Sequence, residues 1–99
     1  MRLKTTRPAR LGLEEAEAIA AEAFAFLAGD PTRLMAFLGA TGLDLDEVRA
    51  QAGSREFLSA VMDYVVRDES LLLVYAAEAG KPPERVAMAA QLLTGEAFQ

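Results

Sequence analysis

The sequence predicts an all-α protein, a compact six-helix bundle formed by a single domain. Alanine, leucine and glutamate recur throughout, whereas aromatic residues make up only 7% of the 99 residues, a composition typical of helices rather than sheets. Apolar residues also recur every three to four positions between short segments that contain glycine, proline or aspartate. Because 53% of the residues are hydrophobic, the chain has enough apolar surface to bury a core.

The first helix is predicted from Leu13 to about Ala28, and its inward face is largely alanine, which allows another helix to approach closely. The second helix is predicted to begin at Asp30-Pro31, an N-cap carboxylate followed by a proline suited to the first helical position. It should end near Thr41, before a glycine. The apolar positions on the two inward faces are Leu13, Ala16, Ala20, Phe24 and Leu27, then Leu34, Phe37 and Leu38.

Capping residues define the starts of the third and fourth helices. Asp44 and Glu47 have the spacing of a capping box, with aspartate in place of the usual serine or threonine. Ser54 is the N-cap candidate of the fourth helix. The inward face of this helix is formed by Phe57, Leu58, Val61, Met62 and Val65.

The fifth helix is predicted to follow the N-cap Asp68 and to lie at the centre of the core. Its run from Leu71 to Ala77 is apolar nearly all the way round, so we expect neighbouring helices to cover every side. We also expect positive φ angles at Gly42 and Gly80, which follow the second and fifth helices. The sixth helix is predicted from Pro82-Pro83 to Thr94, with Val86, Ala89, Ala90 and Leu93 facing inward.

A shift of 38 residues aligns the first three predicted helices with the last three. Asp30 then coincides with Asp68 and Gly42 with Gly80, so the matches fall on caps and turns. Aromatic residues match as well, because Phe26 meets Tyr64 and Phe37 meets Tyr75. Only four residues are identical over the 35 compared, so two hypotheses stay open: two tandem three-helix repeats, or two hairpins that converged on the same caps.

Catalytic and metal-binding groups are scarce in this sequence. Cysteine and histidine are both absent, which excludes thiolate and imidazole ligands and the Ser-His and Cys-His nucleophile systems. Ser54, Ser59 and Ser70 therefore lack an activating base. Lys81 follows a glycine without the other residues of a phosphate-binding loop, and we interpret it as a solvated residue near a helix C-terminus. We predict no enzyme activity and no catalytic, cofactor-binding or metal-binding residues, and no cofactor.

Residues 38–49 have the spacing of a DNA-binding helix-turn-helix around Gly42. The second helix of this motif would read the bases, yet three acidic residues between positions 44 and 47 oppose the single Arg49. We therefore predict a structural hairpin and no nucleic-acid partner. The same acidic residues lack the alternating oxygen ligands of a calcium loop. Tyr64 and Tyr75 lie beside apolar stripes, and we interpret both as partly buried core residues.

Charge is distributed unevenly along the chain. Met1 to Arg10 carry four basic residues and no acidic one, whereas the remainder has six basic and fifteen acidic residues, a net charge of about −9. The basic segment is predicted to be a flexible tail, with an arm for an acidic partner as the alternative. No apolar run approaches the roughly 20 residues that span a bilayer, and glutamates interrupt any export signal. We predict a cytoplasmic protein with tails at 1–12 and 96–99 around a helical domain at 13–95.

Part of the sequence resembles a family of short bacterial proteins known as domain of unknown function family 3572. The resemblance covers about Glu14 to Leu93 and implies an all-helical proteobacterial protein. It carries over no catalytic or binding residue, because the matching positions are caps, turns and core residues. The motifs that carry it are Phe26-Leu27-Ala28-Gly29-Asp30-Pro31, Leu34, Phe37, Thr41-Gly42-Leu43 and Asp68-Glu69-Ser70-Leu71-Leu72.

Elimination leaves three function classes. The first, which we predict, is a non-enzymatic protein-interaction or regulatory module whose partner is another protein, or a second copy of the chain. The second is a helical bundle that binds a small ligand, and the third is a DNA-associated regulator. The acidic body disfavours the third class, since it repels phosphate backbones.

Overall fold

A computed structural model of the protein describes residues 11–95, which form six α-helices without any strand. The helices are α1 (Leu13–Ala28), α2 (Pro31–Thr41), α3 (Leu45–Gln51), α4 (Arg55–Arg67), α5 (Glu69–Ala79) and α6 (Pro83–Thr94). The predicted all-α bundle is confirmed. Within the described range, no helix is both long enough and apolar enough to cross a membrane. The basic tail from Met1 to Arg10 lies outside the described residues.

The predicted caps begin four of the helices. The carboxylate of Asp30 accepts a hydrogen bond from a backbone N–H in the first turn of α2, at 2.8 Å. Asp44 and Glu47 form both hydrogen bonds of the capping box at 2.9 Å each. Ser54 and Asp68 cap α4 and α5 in the same way. These bonds satisfy N–H groups that would otherwise lack partners, and each cap contributes about 1 kcal/mol.

The centre of the core is formed by α1, α4 and α6. Ala16, Ala20 and Ala23 of α1 are fully buried, and their small side chains allow α6 to pack closely against this face. The large buried side chains of α4 fill the remaining space, as its predicted face indicated. Ion pairs join Glu15 of α1 to Arg85 in the first turn of α6, and Glu22 of α1 to Lys81 in the turn before α6.

The prediction that α5 lies at the centre is wrong. Only Tyr75 and Ala76 of this helix are buried, and Leu73 and Val74 are 47% and 40% exposed. The alanine-rich faces of α1 and α6 bring these two helices together, which leaves α5 to pack on the outside of α4 and α6. At the other end of the core, Leu13 is exposed, whereas Leu11, assigned to the tail, is buried.

The two halves of the chain follow the same plan. Both ends of α2 and α5 are 38 residues apart, and so are the first residues of α3 and α6. Gly42 and Gly80 have φ angles of 77° and 68°, as predicted. Under this shift, helices α1–α3 correspond to helices α4–α6 as two three-helix units. They differ in their first and last helices, because α1 has 16 residues and α4 has 13, whereas α3 has 7 and α6 has 12.

Aromatic rings join the two units reciprocally. Phe26 of the first unit packs against Tyr75 of the second, with ring centroids 5.4 Å apart. Phe37 of the first unit packs against Tyr64 of the second at 5.2 Å. Since Phe26 is related to Tyr64 and Phe37 to Tyr75, each contact is the counterpart of the other. Such exchange is the pattern that a twofold relation between two units produces.

Candidate functional site

A groove of about 270 Å³ lies between α1 and α5, and we call it the α1/α5 groove. The backbones of the two helices scarcely approach each other. The side chain of Tyr75 spans the gap, and it is only 1% exposed. The lining residues are Glu22, Ala25 and Phe26 from α1, and Tyr75, Glu78 and Ala79 from α5.

Glu22 is the centre of a hydrogen-bond network that joins three parts of the chain. Its Oε1 atom accepts a hydrogen bond from the Tyr75 hydroxyl at 3.0 Å. The same oxygen lies 3.1 Å from Nζ of Lys81, in the turn between α5 and α6. The Tyr75 hydroxyl also lies 3.3 Å from the carbonyl oxygen of Ile19. The interpretation of Lys81 as a solvated residue is wrong, because this ion pair leaves its side chain only 26% exposed.

The network shifts the pKa values of its two acids in opposite directions. Hydrogen bonds from Lys81 and Tyr75 lower the pKa of Glu22 below 4.5, because they stabilise the carboxylate. Burial raises the pKa of Tyr75 above its ordinary value of 10, and the hydrogen bond to the Glu22 carboxylate adds to this effect. Near neutral pH the site therefore contains a carboxylate at Glu22 and a neutral phenol at Tyr75. Neither acid is suited to proton transfer at that pH.

Arg33 interacts with the aromatic residue on the α1 side of the groove. Its guanidinium carbon lies 4.4 Å from the centroid of the Phe26 ring, within the range of a cation–π interaction. The same guanidinium lies 3.8 Å from the carboxylate of Asp30, the cap of α2. A planar cation from the protein itself therefore already interacts with this ring.

The related position in the other unit lies between α4 and α2, and it lacks the polar network. Glu22, Tyr75, Glu78 and Lys81 correspond to Ala60, Phe37, Ala40 and Leu43, respectively. Polar residues do occur there, but Thr41 donates to the Phe37 carbonyl at 2.9 Å and Asp63 pairs with Arg67 at 2.9 Å, each within its own helix. Hydrogen bonds between helices therefore distinguish the α1/α5 groove from its counterpart.

The other residues that the sequence singles out cap helices, form local ion pairs or belong to the core. Ser54 caps α4 and Ser70 lies in the first turn of α5. In the helix-turn-helix look-alike, Arg49 pairs with Asp46 at 3.2 Å on the exposed face of α3. No group of three acidic residues within residues 11–95 is arranged to hold a metal ion. Tyr75 is buried and Tyr64 is half-buried, as the core interpretation predicted.

Fold and groove together define a small all-α protein built from two related three-helix units. The family described as "Protein of unknown function (DUF3572)" matches residues 13–96. The chain therefore belongs to this family, which confirms the resemblance drawn from its caps and turns. No curated protein and no solved structure matches the chain.

Proposed function

We propose that this protein is a non-enzymatic interaction module that binds a basic segment of a partner protein in the α1/α5 groove. One observation carries the proposal: polar side chains of Glu22, Tyr75 and Lys81 bond between helices in this groove, whereas the polar side chains at the related position bond only within their own helices. At the related position Phe37 packs against Tyr64 of α4 without such a network, so the aromatic contact alone does not require Glu22, Glu78 and Lys81. Binding gives a reason for polar residues there.

The charge of the folded part favours a basic partner. Residues 11–95 contain fourteen acidic and six basic residues. Five of the basic residues already form ion pairs, so the remaining carboxylates give the surface an excess of negative charge. Glu78 lines the groove and takes part in none of these pairs. A lysine-rich segment complements this arrangement, since opposite charges steer association and fix its orientation.

Two properties of the groove favour protein binding over the other classes. The pKa of Glu22 is lowered and the pKa of Tyr75 is raised, so both values lie further from neutral pH than usual, which is unfavourable for general acid–base catalysis. The groove is also open to solvent, whereas small-molecule sites bury most of their ligand. An open groove with apolar walls suits the side chains of a peptide segment.

Titration of the isotopically labelled protein with a short, end-blocked peptide of alternating lysine and leucine tests this proposal. We expect the backbone amide signals of Ala25 and Ala79 to shift more than those of α3. We expect Glu78→Gln to weaken binding about twofold to fivefold, the effect of losing one exposed ion pair.

The matched control is Glu56→Gln, which removes the same charge from α4, away from the groove. A specific groove predicts a larger loss of affinity for Glu78→Gln than for the control. Equal losses, or signal changes spread evenly over the surface, would show that the peptide is held by net charge alone and would contradict the proposal.

A further inference from the structure

The backbone at Lys81 holds its side chain in a defined position. Gly80 has a φ angle of 68°, which ends α5 and turns the chain towards α6. The N–H of Lys81 donates to the carbonyl of Ala76 at 2.9 Å, and the following Pro82 restricts the backbone further. From this fixed turn the lysine side chain reaches α1, where its ammonium group lies 3.1 Å from Glu22.

The groove contains two carboxylates, and Lys81 pairs with only one of them. Glu22 of α1 and Glu78 of α5 both line it, together with the buried Tyr75. Among the ion pairs formed within residues 11–95, none involves Glu78. Ala25, Ala79 and Phe26 add apolar surface to the same lining. This arrangement suits alkyl chains that end in ammonium groups.

We infer that the α1/α5 groove recognises the ammonium groups of a partner's lysine side chains, and that Lys81 is the protein's own occupant of the position beside Glu22. The inference rests on the proposed function and adds to it the group recognised. A partner lysine pairs with Glu78 first and then replaces Lys81 at Glu22. Lys81 therefore lowers the affinity of the groove for its partner and disfavours weakly basic segments.

Two observations favour lysine over arginine. The group found beside Glu22 is itself an ammonium, a compact cation that donates its hydrogen bond from a single nitrogen. A planar guanidinium gains most from bidentate pairing and from stacking on an aromatic ring. The Phe26 ring, which would offer such stacking, already has the guanidinium of Arg33 at 4.4 Å.

Calorimetric titration of the full chain with the lysine–leucine peptide tests the inference. The variants are Lys81→Met, which keeps an unbranched side chain but removes the ammonium group, and Arg55→Met, which removes one positive charge from the exposed start of α4. We expect Lys81→Met to bind the peptide about threefold to fivefold more tightly than Arg55→Met does, the factor gained when no exposed ion pair has to be broken.

A second series of ligands tests the group recognised. Trimethylated lysine keeps its charge but has no N–H to donate, so a peptide that carries it should bind at least threefold more weakly. The arginine analogue and free spermidine should also bind more weakly than the lysine peptide. Equal affinity for the trimethylated or arginine peptide would overturn the assignment to ammonium groups, and tighter binding of spermidine would overturn the assignment to a protein partner.

The outcomes separate this inference from the proposed function. If Lys81→Met and Arg55→Met bind the peptide equally while Glu78→Gln still weakens binding, the role of Lys81 is wrong and the interaction groove stands. If neither the wild type nor Lys81→Met binds the peptide at physiological salt, both the inference and the proposed function are wrong. Circular dichroism of each variant confirms that it is folded before its affinity is compared.

Discussion

Replacement of the groove network by the residues of the related unit tests whether the network is needed for folding. The triple variant combines Glu22→Ala, Tyr75→Phe and Lys81→Leu, which copies Ala60, Phe37 and Leu43. Because Phe37 packs against α4 without a polar network, we expect the copied set to let the phenyl ring at position 75 pack against α1 in the same way. We expect the triple variant to fold with a stability within about 1 kcal/mol of the wild type, and to lose peptide binding.

Glu22→Ala and Tyr75→Phe should each lower the free energy of unfolding when made singly, although the triple variant is expected to be about as stable as the wild type. Glu22→Ala leaves the hydroxyl of Tyr75, 1% exposed, with only the Ile19 carbonyl at 3.3 Å, so we expect a loss of about 1–2 kcal/mol. Tyr75→Phe removes one buried hydroxyl, but Glu22 is half exposed and keeps Lys81 and water as partners. Its expected cost is about 1 kcal/mol. Removing both hydrogen-bonding partners leaves no unsatisfied group, so the losses are not additive.

Urea unfolding at pH 7, followed by far-ultraviolet circular dichroism, measures these differences. A double-mutant cycle between Glu22→Ala and Tyr75→Phe should give a coupling free energy of about 1 kcal/mol. Strict additivity would show that the hydrogen bond contributes nothing. A triple variant that fails to fold would refute the reasoning more deeply, because the polar network would then be a requirement of the fold rather than an addition to it.

Three further predictions follow from the core, the network and the backbone. Leu27→Ala should lower the free energy of unfolding by about 2–5 kcal/mol because Leu27 is fully buried, whereas Leu73→Ala should lower it by less than about 1 kcal/mol. Urea unfolding compares the two variants, and equal losses would contradict the peripheral position of α5. The pKa of Glu22 is lowered by folding, so its carboxylate stabilises the protein above pH 4.5 and loses this effect as the pH falls through the folded-state pKa. The stability difference between wild type and Glu22→Gln should therefore shrink in acid, and a difference independent of pH would argue against the network. Gly42→Ala should destabilise the protein by about 1 kcal/mol because the φ angle of Gly42 is 77°. Gly39 lies inside α2 with open space around it, so Gly39→Ala should stabilise the protein by a similar amount. The midpoint temperatures of thermal unfolding should therefore shift in opposite directions.

Local chemistry explains why the helix boundaries could be predicted from the sequence. A cap such as Asp44 bonds to a residue three positions away, and Gly80 adopts positive φ because of its own lack of a side chain. The position of α5 could not be predicted in this way. An apolar run indicates that a helix contacts the core, but the choice between centre and edge depends on which other helices approach most closely. Here the buried alanines of α1 allow α6 to approach closely, so α5 lies at the edge of the core.

The groove network was missed because its members are far apart in the sequence. Tyr75 and Glu22 are separated by 53 positions, and neither belongs to a motif with fixed spacing. The comparison of the two units contains the signal that could have found them. Glu22 aligns with Ala60 and Lys81 with Leu43, so that a charged residue stands against an apolar one in each case. Residues that depart together from a repeat are candidates for a role that the repeat itself does not have.

Helix α6 supports both helices that form the α1/α5 groove. Helix α6 packs against α1, α4 and α5, whereas the shorter α3 packs mainly against α4. The ion pair of Arg85 with Glu15 joins the first turn of α6 to α1, and Lys81 lies two residues before the same helix. Both walls of the α1/α5 groove are therefore held by one long helix. Rigid support of this kind keeps Glu22 and Glu78 at a fixed separation, which a site that discriminates between cations requires.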